Sequence, residues 1–312
     1  NSQKTDGLKV DHITIPQIKI LDAVDKEKNF SKAAKLLGVS QPAVSLQLRE
    51  LQKKYQIKIY YRRGKEIRLS ELGLDLLKTG RKVLGLLNEM DATLKNAGDL
   101  LIGKLNIGLS CHYFVKDLLA KFMEKYPGVK AKASIGHSST LMDAVGDCRL
   151  DIAEITGLEP DPRFHSIKYS EQQILLFVSK KHPWANKKKI HIESLHGQKM
   201  VALHNQSMTR QIFDQKLSQF HVEPDIALEL NNWDTMKETV AAGIGFGIAL
   251  EDEFGPDDRL VKIALNGSDF TAFQYFVCLP EYRDLRIISA FLDVAAVESE
   301  KHRILKKISE KE

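Results

Sequence analysis

Two amphipathic segments joined by a short turn constrain the fold of this chain more than any other feature of its sequence. They read FSKAAKLLGVSQPAVSLQLREL and occupy residues 30–51. Ser31 can cap the first segment, and Gly38 provides the left-handed backbone conformation that commonly ends a helix. Ser40 can cap the second, and Pro42 suits its first turn because no backbone N–H is needed there. The spacing predicts two packed helices, the second opening on exposed polar side chains.

The outward face of the second helix indicates what the pair meets. Its apolar residues recur at helical spacing and face the first helix, which leaves amide, hydroxyl and guanidinium groups outside. Such a helix fits the major groove of duplex DNA, where these groups match base edges and phosphates. The residues predicted on this face are Gln41, Ser45, Leu46, Arg49 and Lys53. Of these, Leu46 can contact a thymine methyl group.

A basic hairpin follows at residues 57–70, with the sequence IKIYYRRGKEIRLS. Apolar residues alternate on either side of Gly64, which predicts two short strands joined by a turn, known as a wing. Arg62, Arg63 and Lys65 stand at its tip and suit phosphates or a minor groove. A hairpin that meets only solvent is the alternative. Its place beside a helix-turn-helix favours the DNA-binding interpretation.

Charge is distributed unevenly along the chain. Residues 1–68 contain 15 Lys and Arg against 7 Asp and Glu, a net charge of +8. All 312 residues together carry +5, so the rest of the chain carries −3. This asymmetry indicates a basic module that meets a polyanion, joined to a larger module that does not.

These segments resemble the DNA-binding domain of LysR-type transcriptional regulators. The shared pattern is Phe-Ser-x-Ala-Ala, a Ser-Gln-Pro-Ala-Val-Ser start to the second helix, and a wing arginine before Leu-Ser-x-x-Gly. The chain departs from it at Leu46, where many members place a basic or polar residue, and at Ile59-Tyr60, which replaces the usual Leu-Phe. The resemblance implies DNA contacts from Ser31, Gln41, Pro42, Ser45 and Arg62. The full predicted set adds Lys32, Ser40, Leu46, Arg49, Arg63 and Lys65.

A heptad seam runs from Leu69 to Ala97, with intervals that alternate between three and four residues. The spacing predicts one helix over residues 70–98, about 42 Å long at 1.5 Å per residue. A small winged domain cannot cover such a seam alone, so pairing between two chains is predicted. A helix lying on its own domain is the alternative. The resemblance implies an antiparallel linker-helix dimer, often assembled into a tetramer.

Residues 99–312 alternate between strand and helix patterns, which is typical of parallel α/β structure with binding sites at the carboxyl ends of strands. The pattern restarts after Ser170, so we expect two lobes with crossings near residues 170 and 275. The resemblance implies a periplasmic-binding-protein-like effector domain with a cleft between the lobes. The predicted lobe I comprises about 104–170 and 277–312, and lobe II about 171–276.

The predicted architecture is therefore α/β, in three parts. These are a winged helix-turn-helix at 1–69, a linker helix at 70–98 and a two-lobed effector-binding domain at 99–312.

Three predicted strand-to-helix turns in this domain are rich in hydroxyl, amide and imidazole groups. Each lies where the start of a helix presents free N–H groups, which favour an anion. Plain capping by each hydroxyl is the alternative. The resemblance makes these turns the family's effector-contacting loops, and aromatic residues of lobe II are predicted to wall the cleft. The predicted ligand-binding residues are Ser110, Cys111, His112, His137, Ser138, Ser139, His204, Asn205, Gln206, Ser207, Thr209, Trp233 and Phe246.

A small anion bound there should bind more tightly as the pH drops from 8 to 6, since imidazoles gain protons below their reference pKa of ~6.5. The sequence shows no GxSxG elbow, phosphate loop, catalytic triad, carboxylate pair or metal-ligand spacing. An enzyme, a metal site and a cofactor are therefore not expected.

Three cysteines without paired spacing fit a reduced cytoplasm, and a thiol-redox switch at Cys111 and Cys148 is the alternative to a metabolite sensor. No apolar run approaches the ~18 residues that span a membrane, and the N-terminus shows no apolar signal core. We therefore expect a cytoplasmic regulator. Its predicted partners are duplex DNA, further copies of itself and a small anionic metabolite, with RNA polymerase as a further candidate.

Overall fold

The computed structural model describes residues 12–64, 66–95, 101–253, 255–267 and 269–309. For residues 92, 95, 112–114 and 305–309 it describes the backbone alone. Lys65 of the predicted DNA-binding set and the side chain of His112 therefore lie outside the description. The chain divides into two units after Lys95.

The first unit is a winged helix-turn-helix followed by a long helix. Its elements are α1 (Ile15–Glu27), α2 (Phe30–Leu37), α3 (Gln41–Tyr55), β1 (Tyr60–Arg63), β2 (Glu66–Leu69) and α4 (Glu71–Lys95). Thr14 caps α1 and Ser40 caps α3. Asn29 caps α2, because its side chain accepts from the backbone N–H groups of Ser31 and Lys32. The predicted cap at Ser31 is therefore wrong: α2 begins before it, and Ser31 stays exposed.

The apolar faces of the first three helices close around one core. Leu21, Val24, Val44 and Leu48 in this core are completely buried. β1 and β2 pair in antiparallel fashion on either side of Gly64, whose φ of 63° is the left-handed conformation that glycine adopts without strain. The wing and the paired helices thus form from local sequence signals.

The long helix α4 is anchored to the first unit at its start. Leu77 is buried in the unit's core. Arg81, only 8% exposed, pairs with Asp22 at 2.8 Å and with Asp25 at 2.9 Å, both on α1. Charge pairs sheltered from water in this way hold two helices in one register.

Further along α4 the apolar seam is exposed. Leu86 is 49% exposed, Met90 61% and Leu94 77%. Large apolar side chains in a continuous exposed stripe mark a surface that another apolar surface covers. The described part of α4 ends at Lys95, so Ala97 of the predicted seam lies outside it.

The second unit is an α/β domain built on a ten-stranded sheet. Its strands are β3 (Gly103–Leu109), β4 (Val129–Ile135), β5 (Ile152–Gly157), β6 (His165–Ser179), β7 (Lys189–His191), β8 (Lys199–Leu203), β9 (Asp225–Leu230), β10 (Phe246–Leu250), β11 (Leu260–Asn266) and β12 (Thr271–Cys278). Its helices are α5 (His112–Lys125), α6 (Ser138–Gly146), α7 (Met208–Gln219), α8 (Trp233–Ala241) and α9 (Arg286–Ser309).

Strand β6 joins the two lobes. The sheet runs in the order β4-β3-β5-β12-β6-β10-β8-β9, with β11 on β6 and β7 on β11. The first part of β6 pairs with β12 up to Gln173, and the remainder pairs with β10 and β11. One 15-residue strand thus belongs to both lobes.

The chain returns to lobe I earlier than predicted. Strand β12 pairs with β6 from Thr271 onward and with β5 from Phe273. The crossing into lobe I therefore precedes Thr271, a few residues before the predicted crossing near residue 275. An alternating pattern predicts a strand but does not reveal which neighbour it pairs with.

Candidate functional site

A cavity of about 420 Å³ lies between the lobes, where four helices begin. Seven of the predicted ligand-binding residues line it: Ser110, Cys111, His137, Ser138, Ser207, Thr209 and Trp233. The wall also includes Ile135, Gly136, Thr156, Leu203, Met208, Asn231, Asn232, Asp234, Leu250 and Glu253. The carboxyl ends of parallel strands in both lobes meet here, as in other open α/β sheets.

Other predicted residues lie outside this wall. Ser139, Asn205 and Gln206 are exposed. Phe246 is completely buried and packs against Trp184, with 5.8 Å between ring centroids, so it belongs to the core of lobe II. Successive side chains of a strand point to opposite faces, and the sequence did not show which face of β10 meets the cleft.

His204 lies just behind the wall. Its ring centroid is 6.4 Å from that of His137, and its Nδ1 accepts from the backbone N–H of Gln206. The two imidazoles come from different lobes and meet at one edge of the cleft.

The four helices that begin at the cleft differ in how their starts are capped. Ser207 caps α7 by accepting from the N–H of Arg210, and Asn232 caps α8 by accepting from the N–H of Thr235. His137, at the start of α6, makes no capping hydrogen bond with its side chain. Of the three predicted turns, the capping alternative therefore holds for Ser207.

The start of α6 is open to a ligand. The Ser138 hydroxyl accepts from the backbone N–H of Thr156, at 3.1 Å, and so serves the neighbouring strand instead of its own helix. Ser138, the first residue of α6, lines the cavity, and the N-cap side chain of His137 leaves the first-turn N–H groups without a capping hydrogen bond.

The start of α5 is occupied by a buried carboxyl group. Glu154 Oε2 accepts from the backbone N–H groups of Ser110 and Cys111, both at 2.8 Å, and from the Ser110 hydroxyl at 3.0 Å. Glu154 is completely buried, and its Oε1 has no partner in the described structure. Burial raises the pKa of Glu154 to about 7 despite these three donors, and the nearby Glu253 carboxyl adds to the rise.

A second carboxyl group, from lobe II, lies beside the first. Burial raises the pKa of Glu253 to about 7, although the backbone N–H of Leu250 and the Cys111 thiol both donate to it. Glu154 and Glu253 thus flank Cys111 from opposite lobes. Neither glutamate was among the residues predicted from the sequence. A glutamate within the apolar strand LDIAEIT was the signal that could have revealed Glu154.

A larger depression, about 620 Å³, lies between β6 and α9. Its charged side chains are already paired: Lys168 with Glu171 at 3.0 Å and Arg303 with Glu300 at 2.7 Å. Groups that satisfy one another offer little to a ligand, so the cleft between the lobes is the stronger candidate site.

The predicted DNA-binding residues form an exposed face on the first unit. Gln41, Pro42 and Arg49 are exposed on α3, and Leu46 is 49% exposed. Ser45 is half-buried, and its hydroxyl donates to the carbonyl of Pro42.

The remaining described members of the set are Ser31, Lys32, Ser40, Arg62 and Arg63, all of them exposed. On the wing, Arg62 Nε donates to the carbonyl of Gly64 at 3.0 Å, which orients its guanidinium group at the tip.

The thiols lie mostly inside the protein. Cys111 is 3% exposed and Cys278 is completely buried. Burial raises the pKa of the Cys278 thiol to about 12. Within the described ranges, no three His, Cys, Asp or Glu side chains are placed to share a metal ion. No helix in those ranges is long and apolar enough to cross a membrane.

Two family models match this chain. Residues 15–74 match the bacterial regulatory helix-turn-helix protein of the lysR family, and residues 98–298 match the LysR substrate binding domain. The chain belongs to the LysR family of transcriptional regulators. The predicted resemblance and the fold inferred from it are thereby confirmed.

Similar proteins include several LysR regulators named for RuBisCO. A probable RuBisCO transcriptional regulator of Porphyra purpurea is 33% identical over 74% of this chain and 76% of its own. One from Synechocystis is 31% identical over 74% and 70%.

Solved structures show the same fold at low sequence identity. Full-length OxyR of Pseudomonas aeruginosa has a TM-score of 0.75 at 17% identity, covering 91% of this chain and 95% of its own. Full-length CbnR complexed with its target DNA has a TM-score of 0.64 at 17% identity, covering 92% and 100%. The regulatory domain of Synechocystis CcmR in complex with 2-PG has a TM-score of 0.58 at 19% identity, covering 62% and 97%.

Proposed function

We propose that this LysR-type regulator binds operator DNA through α3 and the wing, and that a small anionic metabolite in the cleft changes that binding. The observation that carries the proposal is the start of α6, which lacks a side-chain cap and opens into a cavity between two lobes. The CcmR regulatory domain, which shares the fold, was solved with the small molecule 2-PG.

Helix starts bind anions because their free N–H groups and the helix dipole both favour negative charge. At α6 these N–H groups are joined by the hydroxyls of Ser138 and Thr209 and by the imidazole of His137. Among the described lining residues there is no Lys or Arg, so the N–H and O–H groups must supply the binding. A compact anion suits such a site better than a large or apolar compound.

The cleft couples binding to the geometry of the lobes. A ligand at α6 in lobe I reaches Ser207 and Trp233 in lobe II, so it favours the arrangement in which both sets of contacts form. β6 and β12 connect the lobes, so a change in one lobe's position can be transmitted to the other. The ligand controls DNA binding allosterically when it binds one lobe arrangement more tightly than the other and the two arrangements bind DNA differently.

We further propose that two chains pair along the exposed seam of α4, with tetramers formed from such dimers and RNA polymerase as a later partner on DNA. The regulator acts in the cytoplasm, needs no cofactor besides its effector, and performs no catalysis. Effector binding is favoured over a thiol switch at Cys111 and Cys148 because Cys111 is buried, while Cys148 is half-buried.

A substitution at the start of α6 tests the anion site. His137→Asp places a carboxylate where it caps α6, which stabilises the helix by about 0.5–2 kcal/mol and occupies the N–H groups that the anion needs. A thermal-shift panel of sulfate, inorganic phosphate, short carboxylates and 2-PG should raise the melting temperature of the wild type but not of His137→Asp.

The matched control is His191→Asp, which makes the same change at the start of a short helix outside the cleft. This variant should respond to the panel as the wild type does. Equal shifts for His137→Asp and wild type would contradict an anion site at α6.

The carboxyl groups of Glu154 and Glu253 predict a pH dependence for a simple anion. Both have a pKa raised to about 7. A bound anion opposes the ionisation of these carboxyl groups, so the protein takes up protons when the anion binds. The affinity for the anion therefore falls as the pH rises through 7. When one carboxyl group has to be protonated for the anion to bind, the dissociation constant of the anion rises about tenfold between pH 6 and pH 8.

Calorimetric titration with sulfate at several pH values measures how anion affinity depends on pH. The charge of sulfate itself is constant between pH 6 and pH 8. Glu154→Gln should flatten the dependence. A pH-independent affinity in the wild type would contradict the coupling.

A further inference from the structure

The cleft has two corners of opposite character. The start of α6 attracts negative charge, for the reasons given above. The corner beside Cys111 carries Glu253 on its wall and Glu154 directly behind it. Asp234 lines the same cavity, and no Lys or Arg balances these carboxyl groups among the described lining residues. An anion alone would leave the second corner uncompensated.

The carboxyl of Glu154 is incompletely satisfied in the described structure. All three of its donors reach Oε2, while Oε1 is buried without a hydrogen-bond partner. The carboxylate of Glu154 already occupies the N–H groups of Ser110 and Cys111, which precede α5, so an anionic ligand cannot use those two donors. Buried carboxyl groups of this kind are normally balanced by a cation or by a proton.

We infer that the effector is a short zwitterion, with its anionic group at the start of α6 and an ammonium group beside Cys111 against Glu253. Glu154 supports the ammonium from behind, through its charge. This inference rests on the anion site proposed above and adds the second group that the cleft recognises. The two corners belong to one cavity, so a small molecule that carries both charges spans them.

The protonation of the pair agrees with this arrangement. Burial raises the pKa of both carboxyl groups to about 7, and the Glu253 carboxyl adds to the rise at Glu154, so a nearby ammonium group favours the ionised form of the carboxyl groups. The titratable groups facing the pair are Cys111 at α5, His137 at α6, Asp234 at α8 and Tyr169 on β6. Binding of the ammonium group is therefore expected to strengthen as the pH rises from 6 to 8.

Matched pairs of probes isolate the ammonium group. They are β-alanine with propionate, taurine with ethanesulfonate, and O-phosphoethanolamine with ethyl phosphate. Dissociation constants are measured by calorimetry on the full chain at pH 6, 7 and 8. The aminated member of at least one pair should bind tenfold or more tightly than its partner at pH 8, and the ratio should shrink toward pH 6.

Glu253→Gln keeps the shape of the side chain and its acceptor for the Leu250 N–H, while removing its charge. This variant should bind the two members of a pair about equally, and at pH 8 it should bind the simple anion at least as tightly as the wild type does, because a charge that opposes the anion is removed. The control is Glu251→Gln, which removes a carboxyl group near the same turn but outside the cleft, and which should keep the wild-type ratio.

The possible failures are distinct. The zwitterion inference would be overturned if the two members of every pair bound equally tightly. If His137→Asp still abolished anion binding in that case, the anion site would remain in place. A ratio that persists in Glu253→Gln would also overturn the zwitterion inference. If neither member of any pair bound the wild type, the anion site itself would fail and this inference with it.

Discussion

At the start of α3, side chains two positions apart have opposite environments. Gln41 and Pro42 are exposed, while Val44 is completely buried against the first helices. This arrangement holds the polar end of the helix rigidly outward, as a helix that enters the major groove requires. The sequence pattern predicted it because the helical period, the cap and the turn all agree locally.

Two substitutions separate base recognition from phosphate contact. Gln41→Ala should relax preference at one operator position, at a cost of ~1–3 kcal/mol, because an amide reads a base edge. Arg62→Ala should weaken binding to all duplexes and lower the slope of log affinity against log salt by about 0.9, since one phosphate contact is lost.

Fluorescence anisotropy at several salt concentrations measures both effects. Lys187→Ala, on the surface of the second unit, serves as the control for a lost positive charge. Unchanged affinity and salt slope in both variants would contradict a DNA contact at this face.

Single residues in the cleft were harder to predict than the loops that carry them. Ser138 was predicted correctly as a lining residue, yet its neighbour Ser139 is exposed outside the wall. Glu154 was missed because its partners lie more than 40 positions away, at Ser110 and Cys111. Contacts between distant positions leave no periodic pattern in a single sequence.

At the scale of elements, α4 combines two roles along one helix. Leu76 packs partly against the core of the first unit, while Leu86 and Met90 are exposed on the same heptad seam. The heptad pattern predicted a covered seam, and it could not distinguish cover by the chain's own domain from cover by a second chain. The structure assigns the first part of the seam to the chain's own core and leaves the rest exposed.

Charges placed on the exposed part of the seam test the proposed dimer. Replacing Leu86 and Met90 together with Asp should dissociate it, because burying unpaired carboxylates in a dry helix interface is costly. Analytical ultracentrifugation should show a smaller species, and operator binding should fall.

Asn88→Asp adds a carboxylate off the seam and should leave the sedimentation coefficient unchanged. A double variant that sediments and binds DNA like the wild type would refute pairing along α4.

Strand pairing is the element-level feature that the sequence predicted least well. β8 and β9 follow the strand-helix alternation that the sequence pattern indicates for this unit. The pairing of β7 with β11 joins distant segments, and the return to lobe I before Thr271 comes a few residues ahead of the predicted crossing near residue 275. Which strands lie side by side depends on tertiary contacts that local pattern does not contain.

At the scale of the whole molecule, the chain joins a basic DNA-binding unit to a two-lobed unit with a ligand cleft. The cleft is built from both lobes, and β6 runs through both, so a ligand can bias their arrangement. Coupling between an effector and a distant site is typically worth about 1–3 kcal/mol, or about 5- to 150-fold in affinity. That range sets the size of the effect expected on DNA.

The central claim is that a ligand at the start of α6 changes how this regulator binds DNA. The most direct measurement is a titration of an operator duplex, selected from a random pool by the wild-type protein, with and without the probe that most raises its melting temperature. The wild type should change its operator affinity about fivefold or more, within the range of typical allosteric coupling. His137→Asp should bind the same duplex and fail to respond. An unchanged operator affinity in the wild type, or an equal response in His137→Asp, would contradict the account.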